Sequence, residues 1–203
     1  MSQSKNITWN SSKLTKSQRQ ERNNHKSLVV WLTGLSGSGK STIANELEQQ
    51  LFNMGQHVYV LDGDNIRFGI NSDLGFSDAD RKENIRRVAE VAKLFVDAGV
   101  IVIVAIISPF ESGRQLARGK FEPGEFVEVF VDCPLDTCLE RDPKGLYRKA
   151  VSGQINQFTG ITSAYENPTR PEVIVQTAQL SVQECAAKVM ACLNAKEMLT
   201  CER

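Results

Sequence analysis

The sequence predicts an α/β fold, a doubly wound parallel sheet of five strands with helices on both faces. The first observation is that short apolar runs alternate along the chain with segments of helical periodicity. The second is that residues 100–107 form a continuous β-branched run, which is typical of a parallel strand covered on both faces. The third is size, since 203 residues with 41% hydrophobic and 24% charged side chains suffice for one well-buried core.

Five apolar runs are predicted to be the strands of this sheet. In chain order they are residues 28–33, 57–61, 100–107, 125–131 and 173–176. A helix is predicted directly after the first strand, over residues 41–54. We expect it to end at Gly55, because glycine readily adopts the left-handed conformation of a helix C-cap.

Helical periodicity also fills the longer intervals between strands. The segment from Ser77 to Asp80 is predicted to be a capping box for a helix whose apolar residues recur at helical spacing up to Gly99. A last helix is predicted over residues 181–198. Residues 142–171 have weak apolar periodicity and could be a passive connection, but their length and basic character favour a mobile lid.

The loop after the first strand matches the phosphate-binding pattern Gly-x4-Gly-Lys-Ser. With the threonine that follows, it comprises Gly34, Leu35, Ser36, Gly37, Ser38, Gly39, Lys40, Ser41 and Thr42. Glycines let backbone N–H groups approach phosphate oxygens, and the following helix directs its positive end at the same anions. Lys40 should reach the β- and γ-phosphates of a nucleotide, and the Ser41 hydroxyl should bind Mg²⁺. The strand before the loop and the helix after it argue against a chance match.

A phosphate loop alone does not specify a kinase. The guanine-reading motif NKxD of GTPases is absent, and so is the LSGGQ motif of ABC-type ATPases. A compact domain with a basic lid favours a small-molecule kinase, because water must be kept from the γ-phosphate. The alternative is a nucleotide-binding module that transfers no phosphoryl group. We therefore divide the chain into an N-terminal basic extension, residues 1–27, and a P-loop kinase domain, residues 28–203.

Charge and composition exclude several classes of protein. The net charge is zero, which does not suggest a nucleic-acid or membrane-surface protein. Residues 1–27 nevertheless carry six basic side chains and one acidic side chain. This extension could contact a polyanion, but we favour a solvated segment that packs on its own or a neighbouring subunit. The polar N-terminus, the absence of long apolar runs, and five cysteines without a CxxC pair together predict a cytoplasmic protein.

Acidic residues follow the second strand, where ligands of open parallel sheets bind. Asp62 and Asp64, separated by a glycine and followed by Asn65, could approach Mg²⁺ and an acceptor hydroxyl together. A simple Asp-Gly turn is the alternative. Asp132, at the end of the fourth strand, is a competing acid that could instead cap the next helix.

The third strand is predicted to end in Ser108 and Pro109. A residue before proline is held extended, so we expect Ser108 to face the same crevice, where it could bind substrate, accept a phosphoryl group or cap a helix. Arg67, Arg81 and Asn84 could bind an anionic acceptor, because the arginine fork pairs with phosphate-like and sulfate-like oxygens. Two phenylalanines could enclose a flat base or belong to the core: Phe76 and Phe158.

Seven motifs together resemble the adenylylsulfate kinase family. They are GLSGSGKST at 34–42, DGDNIR at 62–67, LGFS at 74–77, DRKENIRR at 80–87, ISPF at 107–110, RDPKGLY at 141–147 and FTGI at 158–161. The resemblance covers nearly the whole chain, including Trp9, Thr15 and Arg19 of the extension. It implies that Mg-ATP phosphorylates the 3′-hydroxyl of adenylyl sulfate, giving 3′-phosphoadenylyl sulfate and ADP, in a protein that is usually a homodimer.

The resemblance also implies a role for each candidate residue. Asp62 would be the base or would orient the hydroxyl, and it would share Mg²⁺ with Ser41. Lys40 would act on the transferred phosphate, Arg141 would contact ATP, and Ser108 is a catalytic candidate because the family position is often described as a phosphoserine. The implied substrate-binding residues are Asp62, Asp64, Asn65, Arg67, Phe76, Arg81, Asn84, Ile107, Ser108, Lys144, Phe158 and Thr159. Five positions depart from the family pattern and bear on substrate affinity and lid closure: Phe68, Ile106, Gly113, Thr162 and Ala164.

Overall fold

The core is a parallel five-stranded sheet with the strand order β2-β3-β1-β4-β5. The computed structural model describes residues 7–8 and 10–199, so Trp9 and Cys201 lie outside the described residues. The strands are β1 Val29–Thr33, β2 Val58–Asp62, β3 Ile101–Ala105, β4 Phe126–Asp132 and β5 Val173–Gln176. The predicted sheet is therefore confirmed in its five strands and in their parallel arrangement.

Eight helices connect and cover these strands in the described part of the chain. They are α1 Lys16–Asn23, α2 Lys40–Asn53, α3 Gly63–Phe68, α4 Asp78–Asp97, α5 Glu111–Arg118, α6 Leu135–Arg141, α7 Leu146–Val151 and α8 Val182–Ala195. Gly55 has a left-handed φ of 78°, as predicted for the end of α2. The capping box at the start of α4 is also confirmed, because Ser77 and Asp80 exchange hydrogen bonds between side chains and backbone N–H groups.

Helices lie on both faces of the sheet, and β1 shows why. Val30 and Leu32 of this strand pack in one apolar cluster with residues of α2 and α8. Val29 and Trp31 pack in a second cluster, on the opposite face, with residues of α4 and α5. The central strand is thus buried on both sides and directs its carboxyl end, Thr33, towards the phosphate loop.

The end of β3 differs from the prediction. The strand ends at Ala105 rather than at residue 107, and Ser108 has a φ of 41° instead of the extended conformation expected before proline. The reason is that the neighbouring strand β1 stops at Thr33, where the chain turns into the phosphate loop. The Thr33 hydroxyl then donates to the Ile107 carbonyl at 2.7 Å, beside a longer hydrogen bond of 3.5 Å from the Gly34 N–H.

The N-terminal extension contains a helix that packs on the rest of the chain. Helix α1 begins at a capping box formed by Thr15 and Gln18. Arg19 donates a 3.0 Å hydrogen bond to the carbonyl of Asp97, and Asn23 donates one of 3.0 Å to the carbonyl of Gly99. The helix therefore satisfies backbone groups at the end of α4.

The segment after α1 is attached through His25. Its ring is fully buried; Nδ1 donates to the Lys26 carbonyl, and Nε2 accepts the backbone N–H of His57 at 3.0 Å. Ser27 donates to the carbonyl of Val96 at 2.7 Å. The extension thus contacts both the start of β2 and the end of α4. Within the described residues, no helix is long and apolar enough to cross a bilayer.

Candidate active site

A cavity of about 740 Å³ opens at the carboxyl ends of the strands. Its wall is formed by the phosphate loop, the ends of β2 and β3, helix α4, and residues of the segment 142–171. Eighteen of the predicted site residues line it: Ser36, Gly37, Gly39, Lys40, Ser41, Thr42, Asp62, Asp64, Arg67, Phe76, Arg81, Asn84, Ile107, Ser108, Arg141, Lys144, Phe158 and Thr159. The remaining four predicted residues are not among its lining residues: Gly34, Leu35, Ser38 and Asn65.

The phosphate loop is shaped by glycines and closed by its own lysine. Gly37 and Gly39 have left-handed φ values of 71° and 101°, and a Cβ at Gly34 would lie 2.5 Å from the carbonyl oxygen of Val131. Lys40 Nζ donates to the carbonyls of Gly34 at 3.0 Å and Leu35 at 2.6 Å. Burial lowers the pKa of Lys40 to about 8. The loop therefore holds a desolvated ammonium group, and a bound anion would favour its charged form.

Arg141 and Thr177 brace the loop from the other side. Thr177 donates to the carbonyl of Ser38 at 2.8 Å, and Arg141 Nη2 donates to the carbonyl of Thr177 at 2.6 Å. Sequence reasoning missed Thr177. The available signal was its place directly after β5, at the same sheet edge as the loop.

The acidic residues after β2 contact both the loop and the segment 142–171. Oδ2 of Asp62 accepts a 2.6 Å hydrogen bond from the Ser41 hydroxyl, and Oδ1 accepts the backbone N–H of Asp64. Asp64 forms an ion pair with Lys144. Asp132, the competing acid, is not among the residues that line the cavity. Asn65 lies in α3 and is exposed outside the cavity.

Arg81 joins α4 to the segment 142–171. It donates to the carbonyl of Phe76 at 2.8 Å, to the hydroxyl of Thr159 at 2.5 Å and to the carbonyl of Gln157 at 2.9 Å. Burial lowers the pKa of Arg81, and the nearby cation of Arg67 lowers it further. Two guanidinium groups therefore line one end of the cavity, and neither forms an ion pair within the described part of the chain, which suits an anionic ligand.

The other candidates at this end have partners that orient them. Asn84 accepts a 3.0 Å hydrogen bond from the side-chain amide of Asn71. The guanidinium of Arg67 lies 4.4 Å from the ring centre of Phe76. Phe76 is exposed, whereas Phe158 is buried and packs edge-on against Tyr147 with ring centres 4.8 Å apart. The two phenylalanines therefore have different surroundings, although both line the cavity.

Ser108 belongs to a chain of buried polar groups that sequence reasoning missed. Its hydroxyl donates to the Thr33 hydroxyl at 2.8 Å and accepts the indole N–H of Trp31 at 3.1 Å. The Thr33 proton is directed to the Ile107 carbonyl, so the oxygen of Thr33 can accept from both Ser108 and the hydroxyl of Tyr165, which lies at 3.0 Å. The proton of Ser108 is thus already engaged by the protein.

The segment 142–171 contacts the phosphate loop directly. Asp142 accepts the backbone N–H groups of Tyr147 and Arg148 and so caps α7. The Tyr147 hydroxyl donates to the carbonyl of Ser36 at 2.9 Å, and burial raises the pKa of this phenol. A small apolar cluster holds the segment against α6 and includes Cys138, Tyr147 and Phe158. The predicted mobility of this lid stays a prediction.

Comparison with known proteins identifies the family. The family model for adenylylsulphate kinase matches residues 26–176. The probable adenylyl-sulfate kinase of Halalkalibacterium halodurans is 60% identical over 191 residues, covering 94% of this chain and 95% of that protein. The adenylyl-sulfate kinase of Staphylococcus haemolyticus is 55% identical over 199 residues, covering 98% and 100%.

Solved structures agree with this identification. The Mycobacterium tuberculosis APS kinase in complex with AMPPNP and APS is 48% identical, with a TM-score of 0.81, over 84% of this chain and 99% of that one. A hexameric APS kinase from Thiobacillus denitrificans is 31% identical, with a TM-score of 0.67, over 92% of this chain and 32% of that one. From the cavity, the phosphate loop and these relatives together, we conclude that the chain belongs to the adenylylsulphate kinase family.

Proposed function

We propose that this protein transfers the γ-phosphate of Mg-ATP to the 3′-hydroxyl of adenylyl sulfate, forming 3′-phosphoadenylyl sulfate and ADP in sulfate activation. The observation that carries the proposal is that one cavity joins a phosphate loop to Asp62 and to the arginines Arg67 and Arg81. The relative from M. tuberculosis, whose complex holds AMPPNP and APS, supports the same pair of substrates.

The phosphate loop forms the nucleotide end of the site. Residues 34–42 hold the phosphates through backbone N–H groups and the start of α2. Lys40 then exchanges its hydrogen bonds to loop carbonyls for phosphate oxygens and stabilises the charge that develops during transfer. Arg141, held by Thr177, contacts the remainder of the nucleotide.

The acceptor end binds an anionic group and a nucleobase. Arg67, Arg81 and Asn84 hold the sulfate–phosphate anhydride, because guanidinium groups match its planar pairs of oxygens. Phe76 and Phe158 enclose the adenine. The other members of this proposed acceptor site are Asp64, Ile107, Ser108, Lys144 and Thr159.

Asp62 orients the acceptor hydroxyl and receives its proton. Its carboxylate lies between the phosphate loop and the acceptor end, since it already accepts the hydroxyl of Ser41 at 2.6 Å. Direct in-line transfer needs no covalent intermediate. Ser108 therefore serves as a wall of the acceptor site, with its proton engaged by Thr33.

Mg²⁺ fits the donor set at Ser41 and Asp62. A hydroxyl and a carboxylate, 2.6 Å apart, face the same cavity, and Mg²⁺ is typically held by one or two carboxylates together with substrate phosphates and water. When bound, the ion neutralises charge on the β- and γ-phosphates.

We further propose that the protein is cytoplasmic and homodimeric. The cysteines described in the structure are free thiols, as expected in a reducing compartment where ATP is available.

Residues 142–171 form the lid, which closes through Lys144 and Tyr147 and excludes water from the transferred phosphate.

Release of ADP in the presence and absence of adenylyl sulfate tests the function. We expect turnover of ATP to rise on addition of adenylyl sulfate, and the product to gain one phosphate by mass. The 3′-deoxy analogue of adenylyl sulfate is the matched control, because it can occupy the site but offers no acceptor hydroxyl. Turnover that is unchanged by adenylyl sulfate would contradict the assignment and favour another acceptor or a non-catalytic nucleotide-binding module.

A further inference from the structure

Arg114 of α5 is a fully buried guanidinium outside the cavity lining. Its Nη1 donates to the carbonyl of Ser108 at 2.8 Å, and its Nη2 donates to the carbonyl of Glu166 at 2.8 Å. Its Nε lies 2.8 Å from the carboxylate of Glu128, a buried residue of β4. The fourth partner is Glu111, whose carboxylate lies 2.6 Å from Nη2. One side chain thus joins the turn after β3, the end of the lid and the sheet.

The two carbonyl groups that Arg114 binds belong to the acceptor wall and to the lid. Ser108 has a φ of 41°, a conformation that non-glycine residues seldom adopt, and its carbonyl needs a fixed partner to stay there. Glu166 is fastened at the same place, since its backbone N–H donates to the carbonyl of Pro109 at 2.8 Å. The C-terminal end of the lid is therefore attached to the acceptor wall through Arg114.

Only a guanidinium can make these contacts together. Its donors lie in one plane at fixed angles, whereas a lysine ammonium is a single point charge on a flexible stem. Lysine at this position could retain the pairing with Glu128 but could not also reach the carbonyls of Ser108 and Glu166. Among the described contacts of Arg114, none goes to the phosphate loop.

We propose that Arg114 is a positioning residue for the acceptor substrate: it fixes the Ser108 turn and the lid's C-terminal end, and so determines affinity for adenylyl sulfate rather than for ATP. This inference rests on the proposed function. The effect should be confined to the acceptor end of the cavity, because the nucleotide end is held by the phosphate loop, with which Arg114 makes no described contact.

Arg118 is a matched control on the same helix. It pairs with Glu172 at 2.8 Å through two donors and with Glu128 at 3.2 Å, and its guanidinium lies 4.7 Å from the ring centre of Phe126. Among its described contacts, none is to the Ser108 turn or to Glu166. Arg118→Lys therefore perturbs the same buried carboxylate without releasing the acceptor wall.

Steady-state kinetics of Arg114→Lys, with each substrate varied separately, test the proposal. We expect the KM for adenylyl sulfate to rise about tenfold or more, while the KM for ATP and the affinity for an ATP analogue stay near wild type. Hydrogen exchange should become faster at the Glu166 amide. Arg118→Lys should show neither change. Equal effects on both substrates, or identical behaviour of the two variants, would overturn the proposal.

A double variant guards against loss of folding. Arg114→Met with Glu128→Gln removes both buried charges, so no unpaired carboxylate remains in the core. We expect it to fold and to keep the selective rise in KM; a normal KM for adenylyl sulfate in this variant would also overturn the proposal. Wild-type turnover with adenylyl sulfate, measured alongside, tests the proposed function separately.

Discussion

The hydroxyl of Ser41 donates a 2.6 Å hydrogen bond to Asp62, which joins the phosphate loop to the end of β2. The two residues are 21 positions apart: Ser41 lies in the first turn of α2, and Asp62 is the last residue of β2. This contact places the proposed base within reach of the phosphate that the loop would present, and it gives the first prediction.

Asp62→Asn should leave ATP affinity largely intact and lower kcat by about 10²- to 10⁴-fold, because the amide keeps the shape of the side chain but cannot accept the acceptor's proton. Rapid-quench measurement of ADP formation, with calorimetric binding of an ATP analogue, checks both parts. Asp64→Asn is the control, since it removes the ion pair with Lys144 but not the proposed base. An unchanged kcat for Asp62→Asn would show that Asp62 is not the base.

Ser108→Ala should retain most of its activity. The substitution removes hydrogen bonds to Thr33 and Trp31, each worth about 1 kcal/mol of stability, but no bond to a reacting atom. Thermal unfolding and kcat are the measurements, and Thr33→Val serves as a second disruption of the same network. A kcat at background level with unchanged folding would instead indicate an obligatory phosphoserine.

Lys40 should make nucleotide binding depend on pH. Its pKa is about 8 in the free protein because burial disfavours the charged form, and bound phosphates will raise it again. Above about pH 8 binding must therefore take up a proton, and the Kd of an ATP analogue should rise by up to about tenfold per pH unit. Titration calorimetry in buffers of different ionisation enthalpy measures the proton directly. A Kd that is constant from about pH 7 to pH 9.5 would contradict the low pKa.

The same group affects the stability of the free protein. The unfolded chain, with an ordinary lysine pKa of 10.5, binds more protons between pH 8 and pH 10.5 than the folded chain does. The contribution of Lys40 to the free energy of unfolding should therefore increase as pH rises through this window. Lys40→Met should abolish this contribution in denaturant melts.

Tyr147→Phe should weaken nucleotide binding and lower the free energy of unfolding by about 0.5–1.5 kcal/mol, because it removes the hydrogen bond to Ser36 but keeps the ring contact with Phe158. Denaturant melts and ATP-analogue binding are the measurements. Tyr165→Phe is the matched control, since it deletes a hydroxyl that contacts Thr33 instead of the loop. An equal loss of nucleotide affinity in both variants would show that the contact to Ser36 is not responsible.

The sequence alone predicted the five strands of the sheet and most of the site residues that line the cavity, because both depend on local patterns. Parallel strands place their carboxyl ends at one edge, so polar residues that follow strands could be grouped without knowledge of the packing. Asn65 shows the limit of that argument. Helix α3 begins at Gly63, directly after β2, and its turn carries Asn65 away from the cavity that Asp64 lines.

The missed contacts join positions far apart in the sequence. Ile106 and Ile107 continue the apolar run of β3, but β1 ends at Thr33. Two long backbone hydrogen bonds remain: the Ile106 N–H donates to the Leu32 carbonyl at 3.3 Å, and the Gly34 N–H donates to the Ile107 carbonyl at 3.5 Å. Tyr165 likewise meets Thr33 across 132 positions, and Arg114 meets the carbonyl of Glu166 across 52 positions. Such pairings depend on tertiary packing, and a single sequence carries no periodic signal for them.

The buried ring of His25 changes how the chain should be trimmed. A polypeptide starting at Leu28 would leave the amide of His57 and the carbonyls of Val96 and Gly99 without the partners they have in the intact protein. Those groups lie where β2 begins and α4 ends, whereas Asp62 lies at the other end of β2 and Arg81 near the start of α4. A shortened chain for expression or crystallisation should therefore begin before the Thr15 capping box. The basic extension supports the start of the strand that carries Asp62.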